Sequence, residues 1–107
     1  MSGDNVAFAP VFAALGDVTR LELLARMGSG EPLSIARLSD GLNLTRQGVT
    51  KHLDVLESAQ LVSREKVGRE SLYQVRPDGV RCAQDYLARA SAQWDAAVDR
   101  LKALVED

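Results

Sequence analysis

The chain has one cysteine, one histidine and one tryptophan in 107 residues. A lone cysteine, Cys82, excludes an internal disulfide framework. His52 and Cys82 stand far apart in the chain, and neither a glycine-rich phosphate loop nor a nucleophile elbow is present. Nothing here carries an enzyme signature, and no catalytic residues are expected. No apolar run is long enough to span a membrane, and no signal-peptide pattern is present, so a cytoplasmic protein with no membrane partner is expected. Internal repeats, low-complexity segments and long linkers are also missing, which leaves a single domain over 1–107. An excess of positive charge is lacking too, because the formal net charge is −2. Its distribution is uneven, however. Residues 43–76 hold six Lys or Arg against four acids, a local net of +2, and the remainder carries −4. Positive charge is concentrated in one stretch.

That stretch opens with residues 44–62, LTRQGVTKHLDVLESAQLV. Val49, Leu53 and Leu56 recur at spacings of four and three, so they share one face of a helix. Arg46, Gln47, Thr50, Lys51 and Asp54 fall on the other. A cation, an amide, a hydroxyl and a second cation in the first two turns can donate to phosphates and base edges. Thr45 is the expected N-cap.

Upstream, residues 1–7 are small and polar and are expected to fray. Phe8, Val11, Phe12 and Leu15 follow at helical spacing, with Pro10 expected in the first turn. Gly16 ends that helix and Asp17 caps the next, which runs to Met27 and places Leu21, Leu24 and either Val18 or Ala25 inward. Gly28-Ser29-Gly30 stops it. Pro32-Leu33-Ser34 opens a short third helix, with Ser34 as N-cap and Ile35 and Leu38 inward. Gly41 closes it. A short helix, a turn with glycine and a helix with a polar first half form a helix-turn-helix pattern.

Downstream, residues 61–67 and 71–76 are strand-like around Gly68-Arg69. Glycine at the first central position suits a type II′ hairpin turn. That register pairs Arg64 with Tyr73 and Lys66 with Ser71. Arg64, Lys66 and Arg69 lie toward the tip, so the hairpin reads as a basic wing. Pro77-Asp78-Gly79 then opens a last helix reaching residue 105. Along it Ala83, Leu87, Ala90, Trp94, Ala97, Leu101 and Leu104 alternate at spacings of four and three. A helix of ~25 residues extends nearly 40 Å at ~1.5 Å per residue. The preceding domain is too small to cover that length, so a second copy of the chain is expected on the seam. Phe8 and Phe12 are assigned to the same dimer interface. The fold class expected is mainly α (α+β): a winged helix-turn-helix of about five helices with a two-stranded β-hairpin wing, divided into a DNA-binding core over 8–76 and a dimerisation helix over 77–105.

FAALGDVTRLELLARM, followed by LSIARLSDGLNLTRQGVTKHLDVLESAQLVSREKVGRESLYQV, resembles the ArsR/SmtB family of winged-helix transcriptional repressors. The most specific part is residues 44–62, which match the pattern L-[ST]-x-x-x-V-[ST]-[KR]-H-L-x-x-L. Val18 stands where a proline is usual, and Gln60 where a glycine is usual. The cysteines of one family metal site are missing from residues 33–38. The last helix offers Asp85, Asp95, Asp99 and Glu106 but no histidine for another. No metal site and no cofactor are therefore expected. The resemblance implies a homodimeric repressor on a palindromic double-stranded DNA operator. On it Arg46 and Gln47 would read bases. Thr50, Lys51, Arg64, Lys66 and Arg69 would hold phosphates, and Gly48 would let the backbone approach the groove wall. His52 is a second-line phosphate contact, and more simply a satisfied hydrogen-bonding side chain. Arg20 reads first as a capping or ion-pairing group. Two rival readings stand beside this one: a winged helix used for protein contact, and a thiol- or small-molecule-responsive sensor of the same family. No effector is assigned.

Overall fold

The computed structural model describes residues 3–106, with side chains described for 6–106. The elements are α1 (Gly3–Leu15), α2 (Val18–Arg26), β1 (Leu33–Ser34), α3 (Ile35–Ser39), α4 (Arg46–Ser58), β2 (Val62–Val67), β3 (Glu70–Val75) and α5 (Pro77–Glu106). Each expected cap is formed. The Asp17 carboxylate accepts from the Thr19 and Arg20 amides at 2.9 and 3.1 Å. The Ser34 hydroxyl accepts from the Arg37 amide at 3.3 Å, and Thr45 from the Gly48 amide at 3.0 Å. These side chains satisfy amides that the first helical turn leaves without partners.

The core is built around α4. Val49, Leu53 and Leu56 are fully buried, as the four-and-three spacing requires. They meet Leu23 of α2 and Met27 at its end, Leu38 of α3, Ala14 of α1, Val62 of β2 and Leu61 just before it, and Tyr73 of β3. Truncating either α4 leucine to alanine would cost about 2–5 kcal/mol, which fixes the helix's rotation on the core.

Three expectations are corrected. Residues 3–7 belong to α1 rather than to a frayed lead, and Pro10 lies inside that helix instead of in its first turn; residues 1 and 2 lie outside the described residues. On α2 the inward side chain is Leu23, with Leu24 beside it and Met27 at the C-cap, while Leu21, Val18 and Ala25 are exposed. The third helix starts at Ile35, directly after its Ser34 cap, but the residues before it, Leu33 and Ser34, form an unexpected short strand. They pair antiparallel with Tyr73 and Leu72, so the wing hairpin becomes part of a three-stranded sheet in the order β1-β3-β2.

The hairpin register is the one the sequence specifies, with Arg64 opposite Tyr73 and Lys66 opposite Ser71. Gly68 has φ of +63°, as the first central position of a type II′ turn demands. Gln60, at the corner between α4 and β2, also has φ of +63°; it is the only other-than-glycine residue in that region among the described residues. The side chain differs from the family's usual glycine, yet the backbone keeps the left-handed shape that glycine adopts easily.

Helix α5 leaves the domain and gives the chain its length, 67 Å along the longest axis against 27 and 25 Å across. Its first turns pack on the body: Ala83 is buried, and Tyr86 meets the rings of Phe8 and Phe12 at 4.8 and 5.5 Å. Beyond that point the seam is uncovered. No helix among the described residues is long and apolar enough to cross a membrane.

Candidate nucleic-acid interface

Helix α4 turns its residues about 100° apart. With Val49, Leu53 and Leu56 inward, Gln47 and Lys51 fall at the centre of the outward face, and both are exposed. Arg46 lies on the flank next to them and is exposed. Thr50 follows on that flank, half-buried, and its hydroxyl donates to the Arg46 carbonyl at 2.8 Å. That bond uses the hydroxyl proton, so Thr50 presents its methyl group and lone pairs outward rather than a donor. Gly48 sits under the N-cap. A Cβ there would lie 3.3 Å from the Thr45 hydroxyl oxygen, tight against the cap.

His52 occupies the opposite flank, half-buried. Its Nδ1 lies 3.2 Å from Arg20 Nη1 and 3.9 Å from the Asp17 carboxylate. Arg20 also donates from Nε to the Ala14 carbonyl at 2.7 Å and from Nη2 to the Ala13 carbonyl at 3.3 Å. These are carbonyls at the C-terminal end of α1, where a guanidinium is favourable. Arg20 therefore ties the end of α1 to α4, with His52 accepting from it at Nδ1. The Arg20 amide hydrogen bond holds the Asp17 carboxyl below the usual carboxylate range against the opposing effect of burial, and the Arg20 guanidinium charge adds to the lowering.

The wing splits its cations by position. Directly opposed residues of an antiparallel pair point to the same face. Tyr73 is buried, so Arg64 shares the face turned toward the helices. Tyr73 first, then the Glu57 carboxylate of α4 and last Asp54, raise the Arg64 guanidinium above its ordinary pKa. The buried Tyr73 hydroxyl makes no hydrogen bond of regular geometry among the described residues. Lys66 is two residues nearer the tip and Arg69 is in the turn; both are exposed. Arg69 and Arg46 line one cleft of about 200 Å³ between the wing turn, the start of α3 and the start of α4.

On α5, Leu87, Trp94, Leu101 and Leu104 are exposed, Trp94 by 73%, and Ala90 and Ala97 are half-buried. Phe8 and Phe12 are half-buried against Tyr86. Their contribution to a partner would come from the ring edges that remain open.

The sequence reading did not find the Arg20–His52–Asp17 group or the placing of Arg64 against α4. The first joins residues from two helices with no shared motif spacing. The second follows from strand alternation once Tyr73 is known to be inward.

A helix-turn-helix domain family matches residues 15–65. HTH-type transcriptional regulator Rv2034 of Mycobacterium tuberculosis is 32% identical over 93 residues, which is 87% of this chain and 83% of that protein. Among solved structures, an ArsR-like transcriptional regulator from Rhodococcus sp. RHA1 superposes with a TM-score of 0.86 at 36% identity, over 99% of this chain and 97% of that one. A homodimeric winged helix-turn-helix DNA-binding domain from Mycobacterium bovis shares the fold with a TM-score of 0.66 at 19% identity, over 90% of this chain and 93% of that one.

Proposed function

The chain belongs to the ArsR-like winged helix-turn-helix transcriptional regulators, and from that premise we propose that it acts as a homodimeric repressor on a two-fold symmetric operator. It is a DNA-binding regulator of transcription, and its setting is the cytoplasm, where DNA is within reach. No catalytic step is assigned to it. The observation that carries the DNA-binding face is the rotation of α4: three buried apolar side chains turn Gln47 and Lys51 straight outward, beside a basic wing tip.

In this reading α4 enters the major groove. Gln47 reads a base edge, since its amide can both donate to and accept from adenine. Lys51, Lys66 and Arg69 meet phosphates. Arg46 and Thr50 face the groove wall on the wing side, and Gly48 keeps the first turn slim. Arg64 and His52 act one step back, holding the wing and α1–α2 against the recognition helix. The exposed α5 seam packs against its copy, which sets the two α4 helices roughly one turn of DNA apart, about 34–36 Å. A dimer is supported by the length of uncovered apolar helix, and the homodimeric neighbour from Mycobacterium bovis has the same fold.

Selection of binding sites from random-sequence DNA with the purified protein tests this. The expected product is a two-fold symmetric site bound by two chains. Recovery of no preferred sequence would refute the proposal.

A further inference from the structure

Arg46 and Arg69 are separated by a whole helix and a strand, yet they line the same cleft. Arg46 is the first residue of α4, directly after the Thr45 cap, and Arg69 is in the two-residue turn of the hairpin. Neither guanidinium has a hydrogen bond or ion pair among the described residues. Two cations and one carboxylate, Glu70, line the cleft, so it keeps a net positive charge that favours an anion. Ser34, Ser71 and Glu70 also line the cleft, with Ile35 behind them. The Ser34 hydroxyl accepts from the Arg37 amide, which leaves its own proton free to donate. Ser71 pairs across the ladder with Lys66.

We propose that this cleft takes one backbone phosphate of the DNA, shared by Arg46 and Arg69, with a serine hydroxyl as a further donor. The proposal rests on the DNA-binding reading above and changes the role expected of Arg46 from base reader to phosphate ligand. The planar guanidinium fork suits phosphate oxygens, and two forks can hold one phosphate from two sides. Arg46 lies on the flank of α4, about 100° from Gln47, so it meets the groove wall while Gln47 meets the bases. The recognition helix and the wing are then coupled through a single ligand. Glu70 opposes that ligand by like charge and limits the grip on DNA of any sequence.

Affinities of the parent, Arg46→Ala, Arg69→Ala and the double variant are measured on the selected operator and on random duplex across a salt series. A shared phosphate predicts a double variant only slightly weaker than either single variant. Its log K against log [salt] slope should be shallower by about 0.9 in total, the change for one phosphate on B-DNA. Losses that add, with a slope change near 1.8, mean two separate phosphates and overturn the proposal while leaving the DNA face intact. A loss confined to one base position for Arg46→Ala also overturns it. Unchanged binding by all three variants would reject the DNA-facing assignment itself. Glu70→Gln should tighten both duplexes by a similar factor, and unchanged or weaker binding puts the phosphate outside the cleft. The substituted side chains, Arg46, Arg69 and Glu70, are all exposed, and thermal melting of each variant checks that the fold is kept.

Discussion

The carbonyl oxygen of Gln60 lies 2.0 Å from where a Cβ on Gly79 would be. No side chain fits there. The first turn of α5 therefore rests directly on the backbone of the corner that joins the recognition helix to the wing. The Arg76 amide adds to this junction by donating to the Leu61 carbonyl at 2.9 Å. The helix assigned to dimerisation and the corner that follows the helix assigned to DNA meet at this point, backbone against backbone.

Gly79→Ala must push α5 off the corner. Overpacking of this kind costs about 1–3 kcal/mol, and here backbone rather than a flexible side chain has to yield. Urea unfolding should show the loss in full. A change below about 0.5 kcal/mol would mean that the contact is looser than the structure has it.

Gln60→Gly tests the same corner from its other side. A left-handed backbone costs an ordinary residue about 1–2 kcal/mol, and glycine gives back part of the relief in unfolded-chain entropy. The expected result is a stability gain of up to about 1 kcal/mol with DNA affinity unchanged. A clear loss of stability would show that the Gln60 side chain makes a contact worth more than the strain.

The seam on α5 is tested by Trp94→Ala combined with Leu101→Ala. Both side chains are exposed in the single chain, so their removal leaves the fold of one copy intact. Sedimentation should shift from dimer toward monomer at micromolar concentration. An unchanged profile would place the dimer contact elsewhere.

Asp17 supplies a pH-dependent contribution. Its carboxyl titrates below the ordinary value, chiefly through the Arg20 amide hydrogen bond. A depressed folded-state pKa means the stabilisation is complete above the unfolded value of about 3.9 and fades as pH falls through the folded one. Asp17→Asn keeps a capping oxygen but does not titrate. The parent should exceed it in stability at neutral pH, and the gap should close below about pH 4. A gap constant from pH 7 to pH 3 would remove Asp17 as its source.

The elements around the proposed DNA face were legible in the sequence for local reasons. Thr45, the spacing of Val49, Leu53 and Leu56, and the glycine of the Gly68-Arg69 turn each act within a few residues, and they set the cap, the rotation and the hairpin register. What escaped depends on distant partners. Leu33-Ser34 is a strand only because β3 runs beside it. Leu21, Leu23 and Leu24 offer α2 more than one apolar face, and packing against α4 and α1 selects the one bearing Leu23. Pro10 was placed in a first turn, where its missing amide is harmless, but α1 begins seven residues earlier and carries it in the interior. Charge counts put Arg64, Lys66 and Arg69 in one group; position along the hairpin separates them, with Arg64 opposite the buried Tyr73 and Lys66 and Arg69 nearer the tip.

The most direct test of the account is base discrimination by Gln47→Ala. Affinities of parent and variant are compared on the selected operator and on single-base substitutions of it. The account predicts a loss of about 1–3 kcal/mol on the operator and indifference to the base at one position in each half-site, with the other positions read as before. A variant that still discriminates at every position as the parent does would contradict the assignment of α4's outward face as the reading head.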